Sequence, residues 1–490
     1  MTFEAPDVDY WALAPVLALT AGLLLAVLLA VAGRLSRLAP AAAIVTMLVA
    51  GGLLIGQWGE ETSTIAGTLS IDGLSITFSL LILIAGIAAV LFSLGDPASS
   101  QAGRPDFIAL LLGSILGMVL LTQADNLITF FVALELFSIP LYALCGTDLR
   151  REGSLESGLK YLIIGSLGSA TLLFGMAFVY GASGATGFEQ IAQGLSSADL
   201  ISDPITLTGV GLVTVGLAFK VSLAPFHQWT PDVYQGAPTS ITAFMAVATK
   251  LAGFAIFIRF FLTALEPLAD DWDVILAAIA AISIVVGNLG ALGQDSLKRM
   301  LGYSGIAQAG YMLGGILVAT QEGVEALSFY LAAYLAMNLA AFAVLVVREQ
   351  RDGSDDSISA LKGLGRRDRA LAWPVTIAML GLAGLPPTVG FIGKLYLISA
   401  LVDADWTWLA ILVVIGSIAS LGYYLRVVGV VWSGDEETPE GREGAGGGPF
   451  GALVAIGIVA AIVSIVFGVV PDPLYDFASQ AAAAIGLSTG

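Results

Sequence analysis

The sequence is poor in charge, in cysteine and in histidine. Only 12% of its 490 residues are charged and 57% are hydrophobic, whereas roughly 25% of a soluble chain is charged. This composition indicates an integral membrane protein. The single cysteine, Cys145, excludes an internal disulfide and a cysteine-held iron–sulfur cluster. Together with the single histidine, His227, it also excludes an ordinary zinc or haem site.

The sequence also lacks the signs of nucleic-acid binding and of covalent catalysis. A net charge of −18 argues against nucleic acid as a partner. No nucleophile–base triad, phosphate-binding loop or metal-ligand cluster is recognisable. The acidic first residues, MTFEAPDVDY, do not have the basic start of a secretory signal. We therefore expect the first apolar run to be a retained helix.

The chain contains many apolar runs long enough to cross a bilayer, which takes about 20 residues in a helix. They predict an all-α, polytopic membrane protein with about fourteen transmembrane helices. The runs lie at 11–33, 38–57, 72–95, 107–122, 126–146, 156–180, 207–227, 239–263, 273–293, 296–319, 324–347, 371–400, 405–432 and 450–471.

Basic residues are distributed unevenly among the connecting loops. If the N-terminus lies outside, the outward loops at 57–71, 181–206 and 262–273 contain no lysine or arginine. Cytoplasmic loops carry an excess of basic residues, so the pattern predicts a multi-pass protein with both termini on the outer side. The inward loops hold Arg34, Arg37, Arg104, Arg150, Arg151, Lys298, Arg299, Arg348, Arg351, Lys362, Arg366, Arg367, Arg369 and Arg442.

Three lysines lie deep inside apolar runs: Lys220, Lys250 and Lys394. A charged, unpaired lysine in hydrocarbon costs several kcal/mol, so a burial this deep requires a cause. We expect these lysines to be stations on a proton path, or else members of buried pairs.

Three other basic residues lie nearer the ends of the predicted helices. Lys160 is about one turn into the sixth run, where it either reaches the interface or takes part in the path. Arg259 and Arg426 are close to helix ends, and we expect both to extend to the interface.

One acid is buried as deeply as the lysines. Glu135 lies near the centre of the fifth run, NLITFFVALELFSIPLYAL. A buried glutamate is either protonated and hydrogen-bonded or ionised beside a positive charge. We favour a pair between Glu135 and Lys220.

Two runs contain prolines near their middle, which predicts broken helices. The seventh run holds Pro225, and the twelfth holds Pro386 and Pro387. Broken helices at matching places in inverted repeats mark transport sites in membrane carriers; a plain kink is the alternative at each. We therefore divide the chain into 1–106, a five-helix repeat at 107–263, an inverted second repeat at 273–432, and a last helix with a short tail at 450–490.

Polar residues are scattered over the otherwise apolar runs. A single one more often bonds its own helix backbone than carries protons, but as a set they could order a chain of waters. They are Ser138, Tyr142, Ser222, His227, Thr249, Tyr303, Ser304, Gln308, Tyr311 and Asn338.

Several stretches resemble one family. They are FKVSLAPFHQWTPDVYQGAPTSITAF at 219–244, LELFSIPLYAL at 134–144, SLKRMLGYSGIAQAGYML at 296–313 and LAGLPPTVGFIGKLYL at 382–397. These resemble the antiporter-like membrane subunits of respiratory complex I, and among them the subunit N group. The resemblance implies that Glu135, Lys160, Lys220, Lys250 and Lys394 are proton-path residues. It also implies a departure, because Gln308 stands where the family usually has a histidine and a glutamine cannot titrate.

The resemblance also implies a function and partners. It implies a proton-translocating subunit of NADH–quinone oxidoreductase in a bacterial cell membrane, with no cofactor in this chain. NADH, FMN, iron–sulfur clusters and quinone belong to partner subunits. The neighbours are a further antiporter-like subunit, the small subunits A, J and K, and the lipid bilayer. The residues themselves leave two alternatives open: a subunit of a multi-subunit cation/proton antiporter, or a purely structural membrane scaffold.

Overall fold

The computed structural model describes residues 8–196, 203–353, 355–434 and 450–486. Arg442 and most of the polar loop before the last apolar run lie outside these ranges. The first part of the chain forms α1 (Ala14–Val31), α2 (Ala39–Gly56), α3 (Gly73–Ser93), α4 (Arg104–Gln123), α5 (Leu127–Cys145), α6 (Glu152–Ser183), α7 (Phe188–Leu195), α8 (Pro204–Lys220) and α9 (Trp229–Gly236).

The second part is also helical. It forms α10 (Thr239–Arg259), α11 (Ala269–Leu292), α12 (Leu297–Leu317), α13 (Gln321–Asp352), α14 (Arg369–Ala383), α15 (Val389–Asp403), α16 (Thr407–Trp432), α17 (Phe450–Val469) and α18 (Asp472–Ala483). Shorter helical turns occupy Gly33–Leu38, Pro97–Gln101, Phe260–Ala264, Glu266–Leu268, Ile358–Leu361 and Leu364–Arg367.

A small hairpin precedes α3. Strands β1 (Thr62–Thr64) and β2 (Leu69–Ile71) pair antiparallel, with Ser63 opposite Ser70. Asp72 then caps α3: its carboxylate accepts a hydrogen bond from the Ser75 amide at 2.9 Å. An acidic residue at this position satisfies a free amide and complements the positive end of the helix dipole.

The prediction of an all-α membrane protein is confirmed. In the described ranges, eleven helices are long and apolar enough to cross a membrane, and α8 and α14 are shorter apolar helices. The count of fourteen spans, the division of the chain and the inverted repeat remain predictions.

The helices α10 and α13 form the centre of the bundle. Every residue in their most apolar stretches is buried, against 28% for α1 and for α17. The peripheral helices expose large apolar side chains. Such a surface suits a lipid environment, where no water is present to hydrogen-bond polar groups.

The loops gather at two opposite ends of the bundle. We call one end the basic face, formed by the loops at 32–38, 94–103, 146–151, 293–296 and 355–368. The other end, the acidic face, is formed by the loops at 57–72, 124–126, 184–196, 265–268 and 318–320. Contacts across each face hold these loops together: Gln101 bonds Asp148 on the basic face, and Asn126 bridges Gly187 on the acidic face.

The seventh and twelfth runs are both broken, as predicted. α8 ends at Lys220, and the chain resumes as α9 after Pro225, with Ser222 at a positive φ of 66°. α14 ends at Gly384, whose φ of 80° is left-handed, and the chain resumes as α15. Proline lacks an amide hydrogen and its ring clashes with the preceding turn, which favours a break at these positions. Each break leaves carbonyls at the end of α8 and α14 free of helical partners.

Candidate functional site

The three deep lysines are buried as predicted and lie at the helix breaks. The exposed fraction is 3% for Lys220, 0% for Lys250 and 4% for Lys394. Within the described ranges, none of them has a carboxylate oxygen within 4.0 Å. Neutral oxygen atoms therefore stabilise their charges, and each lysine uses a different set.

Lys220 is the last residue of α8 and contacts α5. Its Nζ donates a hydrogen bond to Ser138 Oγ at 2.6 Å. The ammonium also lies 5.0 Å from the centre of the Phe137 ring and 5.7 Å from that of Tyr142. Aromatic faces attract a cation at this range, so two residues of the predicted polar set, Ser138 and Tyr142, border Lys220.

The expected ion pair between Glu135 and Lys220 does not form in this structure. Lys220 bonds Ser138 instead, which lies about one turn after Glu135 on α5. Glu135 is half-buried, its Oε1 has no hydrogen-bond partner among the described residues, and its charge acts on Lys220 through space. The two residues are electrostatic neighbours.

Lys250 binds a carbonyl that the first break sets free. Its Nζ donates to the Val221 carbonyl at 3.2 Å, directly after the end of α8. On the other side α12 approaches closely at Gly305. A Cβ atom there would lie 3.1 Å from the Tyr334 hydroxyl and 3.7 Å from Lys250 Nζ. Gly305 thus adjoins both Lys250 and Tyr334.

Lys394 binds two carbonyls that end α14. Its Nζ donates to the Leu382 carbonyl at 3.0 Å and to the Ala383 carbonyl at 3.1 Å. It also lies 5.1 Å from the centre of the Tyr311 ring. The C-terminal end of a helix carries a partial negative charge. Both breaks therefore offer a cation site made of backbone.

Gln308 connects Lys394 to a network of hydroxyl groups. Its Nε2 donates to the Leu382 carbonyl at 3.0 Å, the oxygen that Lys394 also uses, and contacts the Tyr424 hydroxyl at 3.3 Å. Its Oε1 accepts from the Tyr330 hydroxyl. Ser304 bonds the same Tyr424 hydroxyl. Gln308 therefore orients neighbouring hydroxyls without titrating itself.

Part of this network was not predicted from the sequence. Asn288 bonds the Tyr311 hydroxyl at 3.1 Å and accepts from the Tyr423 hydroxyl at 3.0 Å. Tyr424 and Tyr330 were also overlooked. The adjacent pair Tyr423–Tyr424 in an apolar run was a usable signal, since a buried tyrosine usually finds a partner for its hydroxyl.

Other predicted members of the polar set bond only their own helix. The Thr249 hydroxyl donates to the Met245 carbonyl at 2.6 Å, and the Asn338 amide donates to the Tyr334 carbonyl at 2.8 Å. Thr249 and Asn338 therefore behave as the alternative reading expected, since a single polar residue in a helix often bonds a carbonyl of its own helix.

Lys160 and His227 lie away from the buried lysines. The Lys160 side chain is 39% exposed and is ion-paired with Glu156 at 2.6 Å and Asp232 at 2.9 Å. Asp232 also binds Arg299 at 2.6 Å, so this cluster joins α6, α9 and α12. His227 is half-buried in the first break, with its ring centre 6.5 Å from that of Tyr303.

The expectation for Arg259 was wrong. It is 4% exposed and ion-paired with Asp72 at 2.8 Å, and it also donates to the Thr122 carbonyl at 3.2 Å. The ends of α3, α4 and α10 enclose the guanidinium, so it bonds these groups instead of reaching the interface. Arg426, by contrast, is 37% exposed near Asp295, as expected for an interface position.

A bundle with lysines buried at two helix breaks defines the class of antiporter-like membrane subunits. The family model described as NADH:quinone oxidoreductase/Mrp antiporter, transmembrane, matches residues 124–420. The NADH-quinone oxidoreductase subunit N of Trichlorobacter lovleyi is 38% identical over 441 residues, which cover 89% of each chain. The NAD(P)H-quinone oxidoreductase subunit 2 of Synechocystis is 40% identical over 402 residues, 81% of this chain and 77% of that one. The chain therefore belongs to the subunit N family of the antiporter-like membrane-arm subunits of complex I, which confirms the resemblance.

Solved structures have the same fold. A chain of respiratory complex I from Thermus thermophilus with bound aureothin matches with a TM-score of 0.80 and 34% identity, over 95% of this chain and all of that one. A chain of the Mrp complex from Dietzia matches with a TM-score of 0.83 and 22% identity, over 97% of each. At that identity the Mrp match shows the fold alone.

Proposed function

We propose that this chain is a proton-translocating membrane-arm subunit of an NADH–quinone oxidoreductase. The observation that supports this function most directly is the set of three buried lysines. Each is hydrogen-bonded to a neutral oxygen at or beside a helix break. Family membership supports the same function. The electron transfer takes place in partner subunits. Its energy reaches this chain as an electrostatic or conformational signal.

The geometry suggests how the signal acts on Lys220. The ammonium is stabilised by the Ser138 hydroxyl and, through space, by Glu135. Coulomb interactions are strong in a medium of low dielectric constant. A change of charge beside Glu135 therefore alters how firmly Lys220 holds its proton, and a released proton passes to a neighbouring neutral amine.

The proposed path continues from Lys220 past Lys250 to Lys394 and leaves at the acidic face. Lys250 at the Val221 carbonyl and Lys394 at the Leu382 and Ala383 carbonyls are the next groups able to take up a proton. Ser304, Gln308 and Tyr311 orient hydroxyls and water around Lys394. His227 braces the first break, and Lys160 belongs to the path only at its edge on the basic face.

The proposal includes the surroundings of the chain. We place it in a bacterial cell membrane, with the basic face inside and both termini outside, in accordance with the positive-inside rule. Its neighbours are a second antiporter-like subunit and the small subunits A, J and K. NADH, FMN, the iron–sulfur clusters and quinone are bound by other subunits, and this chain holds no cofactor. The two five-helix units are inverted repeats with one break each.

The test uses complexes reconstituted into vesicles. Lys220→Ala and Glu135→Ala are expected to lower NADH-driven proton uptake per electron transferred, because each removes a charge of the proposed path. The matched control is Lys362→Ala, which removes a lysine exposed on the basic face. Unchanged proton uptake in normally assembled Lys220→Ala and Glu135→Ala complexes would overturn the assignment.

The same reconstituted complexes also test the two alternative functions, an antiporter subunit and a structural scaffold. Copurification with quinone-reducing activity distinguishes a complex I subunit from a cation/proton antiporter subunit. A purely structural scaffold predicts that neutral substitutions at Lys220, Lys250 and Lys394 leave transport intact.

A further inference from the structure

A fourth lysine is buried, close to the basic face. Lys298 in the first turn of α12 is 1% exposed. Its Nζ donates to the Ala237 carbonyl at 3.0 Å and to the Thr239 hydroxyl at 3.2 Å. No described carboxylate oxygen lies within 4.0 Å of it. Lys298 therefore has the same kind of neutral surroundings as the lysines at the helix breaks, although the sequence predicted it to be an ordinary basic residue of an inward loop.

Lys298 is connected to the surface by hydrogen bonds. The Thr239 hydroxyl that accepts from Lys298 itself donates to the Glu349 carboxylate. The Glu349 side chain is 36% exposed and is held by Arg151 at 3.0 Å. Carboxylate, hydroxyl and ammonium thus form an unbroken chain from the basic face to a buried nitrogen.

A stripe along α12 connects Lys298 to the membrane interior. Lys298, Gly302, Gly305 and Gln308 are spaced by three or four residues and share one face of the helix. A Cβ at Gly302 would lie 3.5 Å from the Tyr234 ring. One turn further, Gly305 adjoins the Tyr334 hydroxyl and Lys250 Nζ. The seven residues from Lys298 to Gly305 advance about 10 Å along the axis.

Beside the middle of this stripe, Tyr234 of α9 has a hydroxyl that no described residue satisfies. Tyr234 is 1% exposed, and its hydroxyl has no hydrogen-bond partner among the described residues; the buried Thr230 hydroxyl on the same short helix is in the same position. A buried polar group left without a partner is costly, and such groups are normally bridged by ordered water. Tyr234 is therefore suited to hydrogen-bond water between Lys298 and Lys250.

We propose that Glu349, Thr239, Lys298, Tyr234 and Tyr334 form a proton intake from the basic face to Lys250. This inference rests on the proposed function, because it supplies the proton that the central lysines move. It assigns a relay role to residues outside the lysine set that the family resemblance indicates.

Each step of the intake moves one proton and leaves the intermediate groups unchanged. Glu349 takes a proton from water and passes it to the Thr239 oxygen, while the Thr239 hydrogen moves to a neutral Lys298 amine. The Lys298 ammonium then releases a proton through water and the Tyr234 and Tyr334 hydroxyls to a neutral Lys250 amine. Each hydroxyl gains one proton and loses one.

A structural role for Lys298 predicts something different. In a purely structural role, Lys298 would only hold the end of α9 in place by its hydrogen bond to the Ala237 carbonyl. Removing the tyrosine hydroxyls would then have no effect on proton uptake. Tyr234→Phe separates the two roles, because it removes a hydroxyl that makes no hydrogen bond to the described protein and keeps the packed ring.

The experiment uses the complete complex in vesicles, with protons taken up per electron as the readout. Tyr234→Phe and Thr239→Val are expected to lower this ratio toward that of Lys220→Ala, with assembly preserved. Thr239→Ser restores a hydroxyl and is expected to recover the ratio relative to Thr239→Val. Tyr180→Phe, at an exposed tyrosine of α6, is the matched control and leaves the ratio unchanged.

The outcomes separate this inference from the proposed function. If Lys220→Ala loses pumping while Tyr234→Phe and Thr239→Val pump like the unmodified complex, the intake is overturned and the proposed function stands. If Lys220→Ala itself pumps normally, both are overturned. A larger solvent deuterium isotope effect on proton uptake in Tyr234→Phe would support the relay, since a structural brace does not alter that effect.

Discussion

The buried lysines are held by oxygen atoms that carry no formal charge. An uncompensated buried charge is expensive, and here carbonyls released by helix breaks offset part of that penalty. Carboxylates would hold each proton firmly in one place. Carbonyls and hydroxyls stabilise the ammonium less strongly, so in the proposed path we expect a small change of nearby charge to be enough to move a proton.

The first prediction concerns Lys394. Lys394→Gln keeps a side-chain amide that can donate to the Leu382 carbonyl, so we expect the free energy of unfolding to change by about 1 kcal/mol or less. Proton uptake should nevertheless fall, because an amide does not titrate. Thermal unfolding in detergent and vesicle proton uptake check the two parts, with Lys362→Gln as the exposed control. Full pumping by Lys394→Gln would remove Lys394 from the path.

The second prediction concerns the buried pair of Arg259 and Asp72. Asp72→Asn keeps a capping side chain for α3 but leaves the Arg259 charge unpaired, which should destabilise the protein by about 3–5 kcal/mol. The double variant Asp72→Asn/Arg259→Met removes the orphan charge and should recover part of the loss. Thermal unfolding measures both; equal stability of the two variants would show that the charge pair is unimportant.

The depth of these residues was predictable, but their partners were not. Lys220, Lys250 and Lys394 interrupt long apolar runs, and that signal is local. The carbonyls that bind Lys250 and Lys394 come from other segments and leave no mark in side-chain identity. For the same reason the sequence suggested Glu135 as the direct partner of Lys220, whereas the structure gives Ser138, and it suggested an interface position for Arg259, which three helix ends enclose.

At the scale of the helix, the breaks are local features and were predicted from proline. The residue that ends α14, Gly384, combines a left-handed φ of 80° with close contact to Lys394, since a Cβ there would lie 2.9 Å from the lysine side chain. The backbone turn and the position of the lysine are thus controlled by one residue.

The third prediction is that Gly384→Ala impairs both folding and transport. A left-handed conformation costs a residue with a Cβ about 1–2 kcal/mol, and the added methyl group also displaces Lys394. Gly181→Ala in α6 is the control, because nothing lies within 4 Å of a Cβ there, and it should stabilise the helix by up to about 1 kcal/mol. Equal thermal stability and equal pumping of the two variants would contradict the prediction.

Some helices were not anticipated. α18 follows the last apolar run and was assigned to a short tail. It packs through a ring stack between Phe477 and Trp58, 5.5 Å apart, and through a hydrogen bond from Tyr475 to Glu325. The spacing of its apolar residues was a weak helical signal beside the much stronger signals of the spanning runs.

At the scale of the whole molecule, charge is separated between two faces. The described loops of the acidic face contain no lysine or arginine, and the basic face has most of the exposed ones. The proposed orientation in the membrane rests on this asymmetry and on no single residue.

The fourth prediction tests that orientation. Gln193→Cys places a thiol on the acidic face and Lys362→Cys places one on the basic face, both at exposed positions, while the native Cys145 is buried. A membrane-impermeant maleimide should label only Gln193→Cys in intact cells and both variants after permeabilisation. Labelling of Lys362→Cys in intact cells would reverse the proposed topology.

The close approach of α12 at Gly305 has a consequence for control of the path. One methyl group at this position would lie 3.1 Å from the Tyr334 hydroxyl and 3.7 Å from Lys250 Nζ. We therefore expect Gly305→Ala to block the proposed intake sterically without removing any ionisable group. In such a variant this subunit would take up no protons by the proposed intake while the rest of the complex still pumped. The difference in proton uptake per electron between the variant and the unmodified complex would then measure the contribution of this one intake.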